Sequence, residues 1–202
     1  EEASEPGIER RLSPYLGVPT SALIVLAWRR AIRAPIKLLY AAYPLVFAVG
    51  GIADIIQTGN IPPSLPLVTL VFVTWAAGFI FTLNPLGDQG AGLPTALLSR
   101  VDGTDFVRAH LLASLLIAIP VGMVLTIAAA AVSPIDTPTA AVIILATPVL
   151  MIVASALSVG IGMAFPRFES VNISRSIESV VPSLVAFVLF SLHLVGTIVS
   201  AV

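Results

Sequence analysis

The sequence contains little charge. Aspartate, glutamate, lysine and arginine make up 10% of its 202 residues, whereas an ordinary globular chain contains roughly 25%. Hydrophobic residues account for 57%, and the mean hydropathy is +1.04. A soluble domain of this length needs a charged shell, which 11 acidic and 10 basic residues do not supply. The composition therefore predicts a protein that lies in a lipid bilayer.

The residue types that support most enzyme chemistry are also scarce. The absence of cysteine excludes disulfides, thiolate metal sites and a cysteine nucleophile. The two histidines, His110 and His193, lie far apart in the chain, which argues against a histidine metal cluster. The single lysine, Lys37, is not part of a P-loop motif, so the chain lacks that route to ATP hydrolysis. A net charge of −1 offers no basic footprint for nucleic acid. We therefore expect no enzyme activity, no cofactor and no nucleic-acid partner for this chain.

Long apolar stretches dominate the remainder. About 20 apolar residues are needed to cross the hydrocarbon core as a helix, and five stretches meet this need, the first broken only by Asp54 near its end. They run over about residues 38–56, 61–83, 111–132, 139–164 and 180–202. The predicted fold is all-α, a polytopic membrane protein whose transmembrane domain covers residues 37–202. Gly160 and Gly162, in the fourth stretch, are expected to let helices approach closely.

The basic residues define an orientation. All ten precede the first stretch or lie in the connection between the second and third or between the fourth and fifth stretches. Because cytoplasmic loops carry an excess of lysine and arginine, the N-terminus is predicted to be cytoplasmic, in a plasma membrane. The sequence begins at Glu1 and stops at Val202 inside an apolar run. We therefore expect a piece of a longer protein with a sixth span beyond it; the alternative is a mature five-span protein.

The residues before the first stretch divide into two parts. Residues 1–18 are predicted to form a polar cytoplasmic tail or linker. Residues 19–36 are predicted to form an amphipathic helix on the cytoplasmic leaflet, with Thr20 or Ser21 as its N-cap. The alternative is a positively charged flank whose arginines snorkel to the headgroups. The residues expected at the headgroups are Trp28, Arg29, Arg30 and Arg33.

The connection over residues 84–108 is the longest between two apolar stretches. Its glycines and Pro94 predict a bend, and the leucine-rich residues 93–98 predict a short amphipathic helix. Asp102 and Asp105 have the spacing of a capping box for the next span. A short helix held between two spans by hinges can receive a push from a soluble partner. The alternative is an ordinary amphipathic loop resting on lipid.

These residues also carry a resemblance to a known family. The runs Asp88-Gln89-Gly90, Leu97-Leu98-Ser99, Gly103-Thr104-Asp105-Phe106 and Arg108-Ala109-His110-Leu111-Leu112 together resemble the cytoplasmic motif of ABC transporter permeases of the type-two exporter class. The motif departs from the family pattern at Arg100, Asp102 and His110, where the family commonly has proline, serine and lysine. The resemblance implies six spans per unit, an interfacial helix before the first, and a coupling helix that contacts a separate ATP-binding cassette subunit. The residues implied to couple are Asp88, Gly90, Leu93, Leu97, Leu98, Ser99 and Arg100.

The resemblance also implies partners. ATP and magnesium would be held by the ATP-binding subunit, and a second permease unit, as a homodimer or a fused half, would complete the exporter among membrane lipids. One alternative is an accessory or structural multi-pass protein with no ATPase partner. Another alternative is an intramembrane lipid phosphotransferase, because Asp102 and Arg108 resemble the start of the acidic, metal-binding motif of such enzymes. The further aspartates that such a site needs are absent from residues 111–132.

One ionisable residue lies deep in an apolar stretch. His193 is in the fifth stretch, close to Ser191. An ionisable group inside the membrane is a functional hypothesis by default, so His193 is a candidate transport site. The alternative is a histidine that is satisfied by a single hydrogen bond.

Overall fold

A computed structural model describes residues 7–33, 53, 55–92, 101–174 and 177–201. It is mainly helical, as the sequence predicts. The elements, in chain order, are α1 (Ile8–Leu16), α2 (Val18–Arg33), α3 (Leu65–Ala77), a 3-10 turn (Gly87–Gly92), α4 (Gly103–Val132), α5 (Thr137–Ala164), β1 (Ser170–Ser174), β2 (Ile177–Val180) and α6 (Leu184–Ala201).

Two helices of the described chain are long and apolar enough to cross a membrane. Helix α4 has 30 residues and α5 has 28, and only 17% and 22% of their most apolar windows are buried. A core helix of a soluble protein would be mostly buried, whereas these helices expose apolar side chains. This arrangement suggests a membrane protein. The second and fifth predicted spans contain shorter apolar helices, and the first lies mostly outside the described residues.

The long helices form an antiparallel pair that reverses direction at residues 133–136. Asp136 caps α5, since its side chain accepts a hydrogen bond from the backbone N–H of Thr139 at 3.1 Å. The hydroxyl of Ser133 donates to the carbonyl oxygen of Pro62 at 3.1 Å, so α3 also begins at this level. We call this the Asp136 end of the bundle. The opposite end, where α4 begins and α5 ends, is called the α2 end.

Helix α3 ends at Ala77, earlier than the apolar stretch over residues 61–83 suggests. The chain continues as a buried series of turns from Gly78 to Leu86. A Cβ atom at Gly78 would overlap the ring of Phe190, so only glycine fits against α6 at this position. Hydropathy does not reveal this break because the turn residues are as apolar as the helix. Irregular backbone of this kind is tolerated where protein surrounds it.

Serine hydroxyls from the long helices satisfy the backbone at the break. The carbonyl oxygen of Ala77 accepts from Ser114 of α4 at 2.5 Å and from Ser155 of α5 at 3.1 Å. The next carbonyl oxygen, that of Gly78, accepts from Ser158 of α5. These bonds replace the partners that a continuing helix would provide.

Gly162 allows α5 to approach this turn. A Cβ atom there would lie 2.5 Å from the carbonyl oxygen of Leu83, whereas a Cβ atom at Gly160 would meet nothing within 4 Å. The prediction of close approach is therefore confirmed for Gly162 and wrong for Gly160.

Helix α2 lies beside the first half of α4. The Thr20 hydroxyl donates to the carboxylate of Asp105 at 3.0 Å, and the indole N–H of Trp28 donates to the carbonyl oxygen of Ala113 at 2.8 Å. Thr20 and Trp28 are about two turns apart on α2, and their partners Asp105 and Ala113 are about two turns apart on α4. The two helices therefore run side by side in the same direction. Ile24 is fully buried in the apolar cluster between them. The predicted helix over residues 19–36 is therefore confirmed as a helix as far as Arg33.

Two elements were not predicted. Residues 1–18, expected to be a tail or linker, contain α1, in which Leu12 and Leu16 pack against the cluster around Ile24. Strands β1 and β2 form an antiparallel hairpin in which Ser170 pairs with Val180. Strand β2 lies against the 3-10 turn at the α2 end. The all-α prediction therefore holds for the bundle but not for this hairpin.

Candidate functional site

The segment from Asn84 to Gly92 is the best candidate for a functional site. It is the first part of the predicted coupling segment, and the structure packs it between α2 and the ends of α4 and α5. Asn84 is 2% exposed and Gln89 is 6% exposed, although a connecting loop normally lies on the surface. Residues 93–100 lie outside the described residues, and so do the predicted coupling residues Leu93, Leu97, Leu98, Ser99 and Arg100.

Arg30 joins α2 to this segment. Its Nη1 atom donates to Gln89 Oε1 at 2.7 Å and to the backbone oxygen of Asp88 at 3.2 Å. Burial lowers the pKa of the Arg30 guanidinium, and the nearby Asp88 carboxylate opposes this effect. An arginine remains charged through such a shift. Arg30 therefore binds the segment as a half-buried cation, with its guanidinium directed into the protein at this contact.

A small cavity lies beside this contact. Arg30, Asp88 and His110 provide its polar lining, and Ala27, Ala31, Ile80 and Phe81 provide its apolar lining. The His110 ring is buried, lies 2.8 Å through Nδ1 from the carbonyl oxygen of Phe106, and packs on the Phe106 ring at 4.3 Å between centroids. Among the described residues, no group of three or more histidine, cysteine, aspartate or glutamate side chains could hold a metal ion. Arg30 of α2, Asp88 of the segment and His110 of α4 therefore meet at one small cavity.

Asn84 joins the same segment to the end of α5. Its Nδ2 atom donates to the carbonyl oxygen of Arg167 at 2.9 Å, and its Oδ1 atom accepts from the Arg167 N–H at 3.1 Å. Gly87 lies so close that a Cβ atom there would overlap the same carbonyl oxygen. The Ser183 hydroxyl, just before α6, donates to the carbonyl oxygen of Phe165 at 2.9 Å. The segment is therefore tied to the exit of α5, which in turn contacts the start of α6.

The other sequence-predicted residues of the described chain have separate roles. Gly90 has φ 50° and ψ −132°, a conformation that favours glycine. The predicted capping box is wrong: the Asp102 side chain makes no cap hydrogen bond, and Asp105 accepts from Thr20 instead. Arg29 and Arg33 are exposed, while Trp28 packs against α4.

His193 is not part of this site. It is exposed on α6, and its Nδ1 atom lies 2.7 Å from the carbonyl oxygen of Leu189 in the same helix. Nearby, the indole N–H of Trp75 donates to the hydroxyl of Ser191 at 3.3 Å. The hydrogen bond between His193 and Leu189 lies within α6 and agrees with the alternative of a histidine that is satisfied by a single hydrogen bond.

Sequence reasoning missed Asn84 and the inward direction of Arg30. Asn84 had no pattern to distinguish it, because its partner is a backbone group 83 positions away. Arg30 is one of several neighbouring arginines in the sequence, and only the packing of α2 directs its side chain toward Gln89. The chain matches no family model, no curated protein and no solved structure.

Proposed function

We propose that this chain is the membrane-spanning permease subunit of an ATP-driven exporter of the ABC type. In this proposal the chain crosses the membrane five times, and a separate nucleotide-binding subunit hydrolyses ATP and moves the chain. The observation that carries the proposal is the anchoring of residues 84–92 to α2 through Arg30 and to the end of α5 through Asn84.

The bundle dimensions support a position for the membrane. About 20 helical residues cover the roughly 30 Å hydrocarbon core, so a boundary drawn at the Asp136 end puts the other boundary near Ala113 of α4. Trp28 donates its indole N–H to the carbonyl oxygen of Ala113, and tryptophan is enriched at this level of a membrane. The first turns of α4, with α2 beside them, then extend past the boundary.

Charge supports the orientation. The arginines of the described chain all lie on elements at the α2 end, and the Asp136 end has none among the described residues. By the positive-inside rule, the α2 end is cytoplasmic. These arginines are Arg10, Arg11, Arg29, Arg30, Arg33, Arg108 and Arg167.

The mechanism follows from the contacts. A nucleotide-binding subunit that docks on the segment over residues 84–108 and closes on ATP would displace this segment. The displacement would reach α2 through Arg30, α5 through Asn84, and α4 along the chain itself. Because all three contacts hold one short segment, a push there would move the helices together. Export of a substrate would follow from this rocking motion between two permease units.

Cross-linking tests the proposal. The chain has no cysteine, so a Leu97→Cys variant carries one thiol, to which a photo-reactive cross-linker is attached in native membranes. The matched control is Gln57→Cys, in the connection predicted to lie on the far side. We expect an ATP-binding subunit in the adduct from position 97 and none in the adduct from position 57. Adducts with lipid alone at position 97, in membranes shown to contain a candidate ATPase, would contradict the proposal and favour the accessory-protein alternative.

A further inference from the structure

Helices α1 and α2 expose stripes that combine arginine with apolar side chains. On α1 the stripe is Ile8, Arg11 and Tyr15, at spacings of three and four residues, and Tyr15 is 83% exposed. On α2, Arg29 and Arg33 are exposed on either side of Ile32, which is 76% exposed. Exposed arginines alternating with large apolar side chains are typical of helices that lie in a membrane interface. The arginine face is defined as Arg10, Arg11, Arg29 and Arg33.

The charge of this face is strongly one-sided. Residues 7–33 contain five arginines and one acidic residue, Glu9. Arg30 is directed toward Gln89, so it belongs to the contact with residues 84–92 and not to the face. Guanidinium groups bind phosphate through paired N–H donors and are less strongly hydrated than ammonium groups. The chemistry of the face therefore suits phosphate groups that lie next to apolar material.

The level of the face also fits a lipid headgroup. Trp28 is bonded to Ala113, near the proposed boundary of the hydrocarbon core, so Arg29 lies at this boundary. Arg33 lies about one turn further along α2, on the hydrocarbon side, and its long side chain reaches back to the headgroups. Helix α1 packs on α2 through Leu12 and Leu16, so its own arginines are held beside the same part of the bundle.

We propose that the arginine face binds the headgroups of anionic phospholipids in the leaflet at the α2 end. The alternation of exposed arginines with exposed apolar side chains favours a lipid surface, where the arginines meet phosphate and Ile32 meets acyl chains. Binding fixes α1 and α2 at the membrane while Arg30 holds the coupling segment. This inference rests on the membrane position of the proposed function but needs no ATPase.

A fluorescence experiment tests the inference on the full chain. A Tyr15→Cys variant is labelled with an environment-sensitive fluorophore and reconstituted in nanodiscs of phosphatidylcholine with 0 or 30 mol% phosphatidylglycerol. A quencher attached to the lipid near the headgroup reports the approach of α1. We expect quenching to increase with phosphatidylglycerol and to decrease with salt, because salt screens the interaction. The same quenching in both lipids would overturn the inference.

Charge variants supply the second measurement. Removing each arginine of the face by substitution with glutamine is expected to lower the affinity for phosphatidylglycerol about fivefold, equivalent to about 1 kcal/mol. Lipid retained by the unlabelled full chain is counted by native mass spectrometry, which does not depend on the fluorophore. Arg167→Gln is the matched control, because it removes an arginine from the same end but not from the face. Equal retention in Arg11→Gln, Arg33→Gln and the control would overturn the inference.

The acidic residues at the start of the sequence provide a test of opposite sign. Glu1, Glu2 and Glu5 precede the described residues. Their substitution by glutamine removes negative charge close to the face in sequence, so we expect more phosphatidylglycerol to be retained. A decrease would contradict binding driven by the net positive charge of this part of the chain.

Discussion

Asn84 and Arg167 are joined by two hydrogen bonds that use both polar atoms of the asparagine side chain. The amide Nδ2 donates to the Arg167 carbonyl oxygen at 2.9 Å, and Oδ1 accepts from the Arg167 N–H at 3.1 Å. A side chain that bonds both the N–H and the carbonyl oxygen of one residue fixes the direction as well as the distance of the contact. The buried turn after α3 and the exit of α5 are therefore held in one relative position.

Asn84→Asp is expected to destabilise the protein although it changes the side-chain volume very little. The aspartate can still accept from the Arg167 N–H, but its second oxygen faces a carbonyl oxygen in place of a donor. A buried polar group left without its partner costs about 1–3 kcal/mol, and more when charged. Thermal unfolding in one detergent measures the change. The control is Asn60→Asp, at an exposed position, and equal melting temperatures for the two variants would show that the pair contributes nothing.

The two glycines near the end of α5 are expected to respond oppositely to alanine. Gly160→Ala adds a methyl group to open space and should stabilise the helix by up to about 1 kcal/mol. Gly162→Ala forces its methyl group to within 2.5 Å of the Leu83 carbonyl oxygen, and overpacking costs about 1–3 kcal/mol. Unfolding temperatures of both variants, in the same detergent, check the prediction. A stabilised Gly162→Ala variant would contradict the close packing of α5 against the buried turn.

The comparison of these glycines shows how far sequence can reach. Both glycines lie in the same apolar stretch and are flanked by residues of similar composition, so the sequence predicts the same role for each. Their difference arises from the end of α3 at Ala77, which leaves the Leu83 carbonyl oxygen in the path of only one of them. Local patterns predict that a helix forms, whereas the fit between helices depends on where each helix stops.

The same limit applies to the candidate site. Long apolar runs were enough to predict α4 and α5. Helix α2 was also predicted, but it begins at Val18, so the expected N-cap at Thr20 or Ser21 is wrong. The role of Arg30 was not predictable, because Arg29, Arg30 and Arg33 are chemically equal until the packing of α2 on α4 turns one of them inward. The same packing allows the Thr20 hydroxyl to bind Asp105, which the sequence analysis expected to be the acidic member of a capping box at the start of α4.

Ser114 and Ser155 are expected to show non-additive effects. Both hydroxyls donate to the carbonyl oxygen of Ala77, so either Ser→Ala variant leaves this buried oxygen with one partner. The double variant leaves it without a serine donor, at a cost of about 1–3 kcal/mol. A double-mutant cycle on unfolding free energy should therefore show a loss larger than the sum of the single losses. Additive losses would indicate that water or a backbone shift replaces the serines.

Asp136 is expected to make stability depend on pH. Its side-chain hydrogen bond from the Thr139 hydroxyl, at 2.8 Å, and the bond from the Thr139 N–H lower the pKa of this carboxyl group. A group whose pKa is lower in the folded state stabilises the fold above its unfolded pKa, at about pH 4. This stabilisation is lost as the pH falls through the lowered folded value, when protonation weakens the cap of α5.

Asp136→Asn tests this expectation, because asparagine also accepts from the Thr139 N–H and is a good N-cap, but does not titrate. Melting temperatures of wild type and variant are measured in one detergent between pH 7 and pH 3. We expect the wild type to lose its advantage over the variant only below about pH 4. Asp102→Asn is the matched control, since Asp102 precedes α4 in the same extended conformation but its side chain makes no cap hydrogen bond. A constant difference between wild type and Asp136→Asn over this range would show that the charge of Asp136 does not stabilise α5.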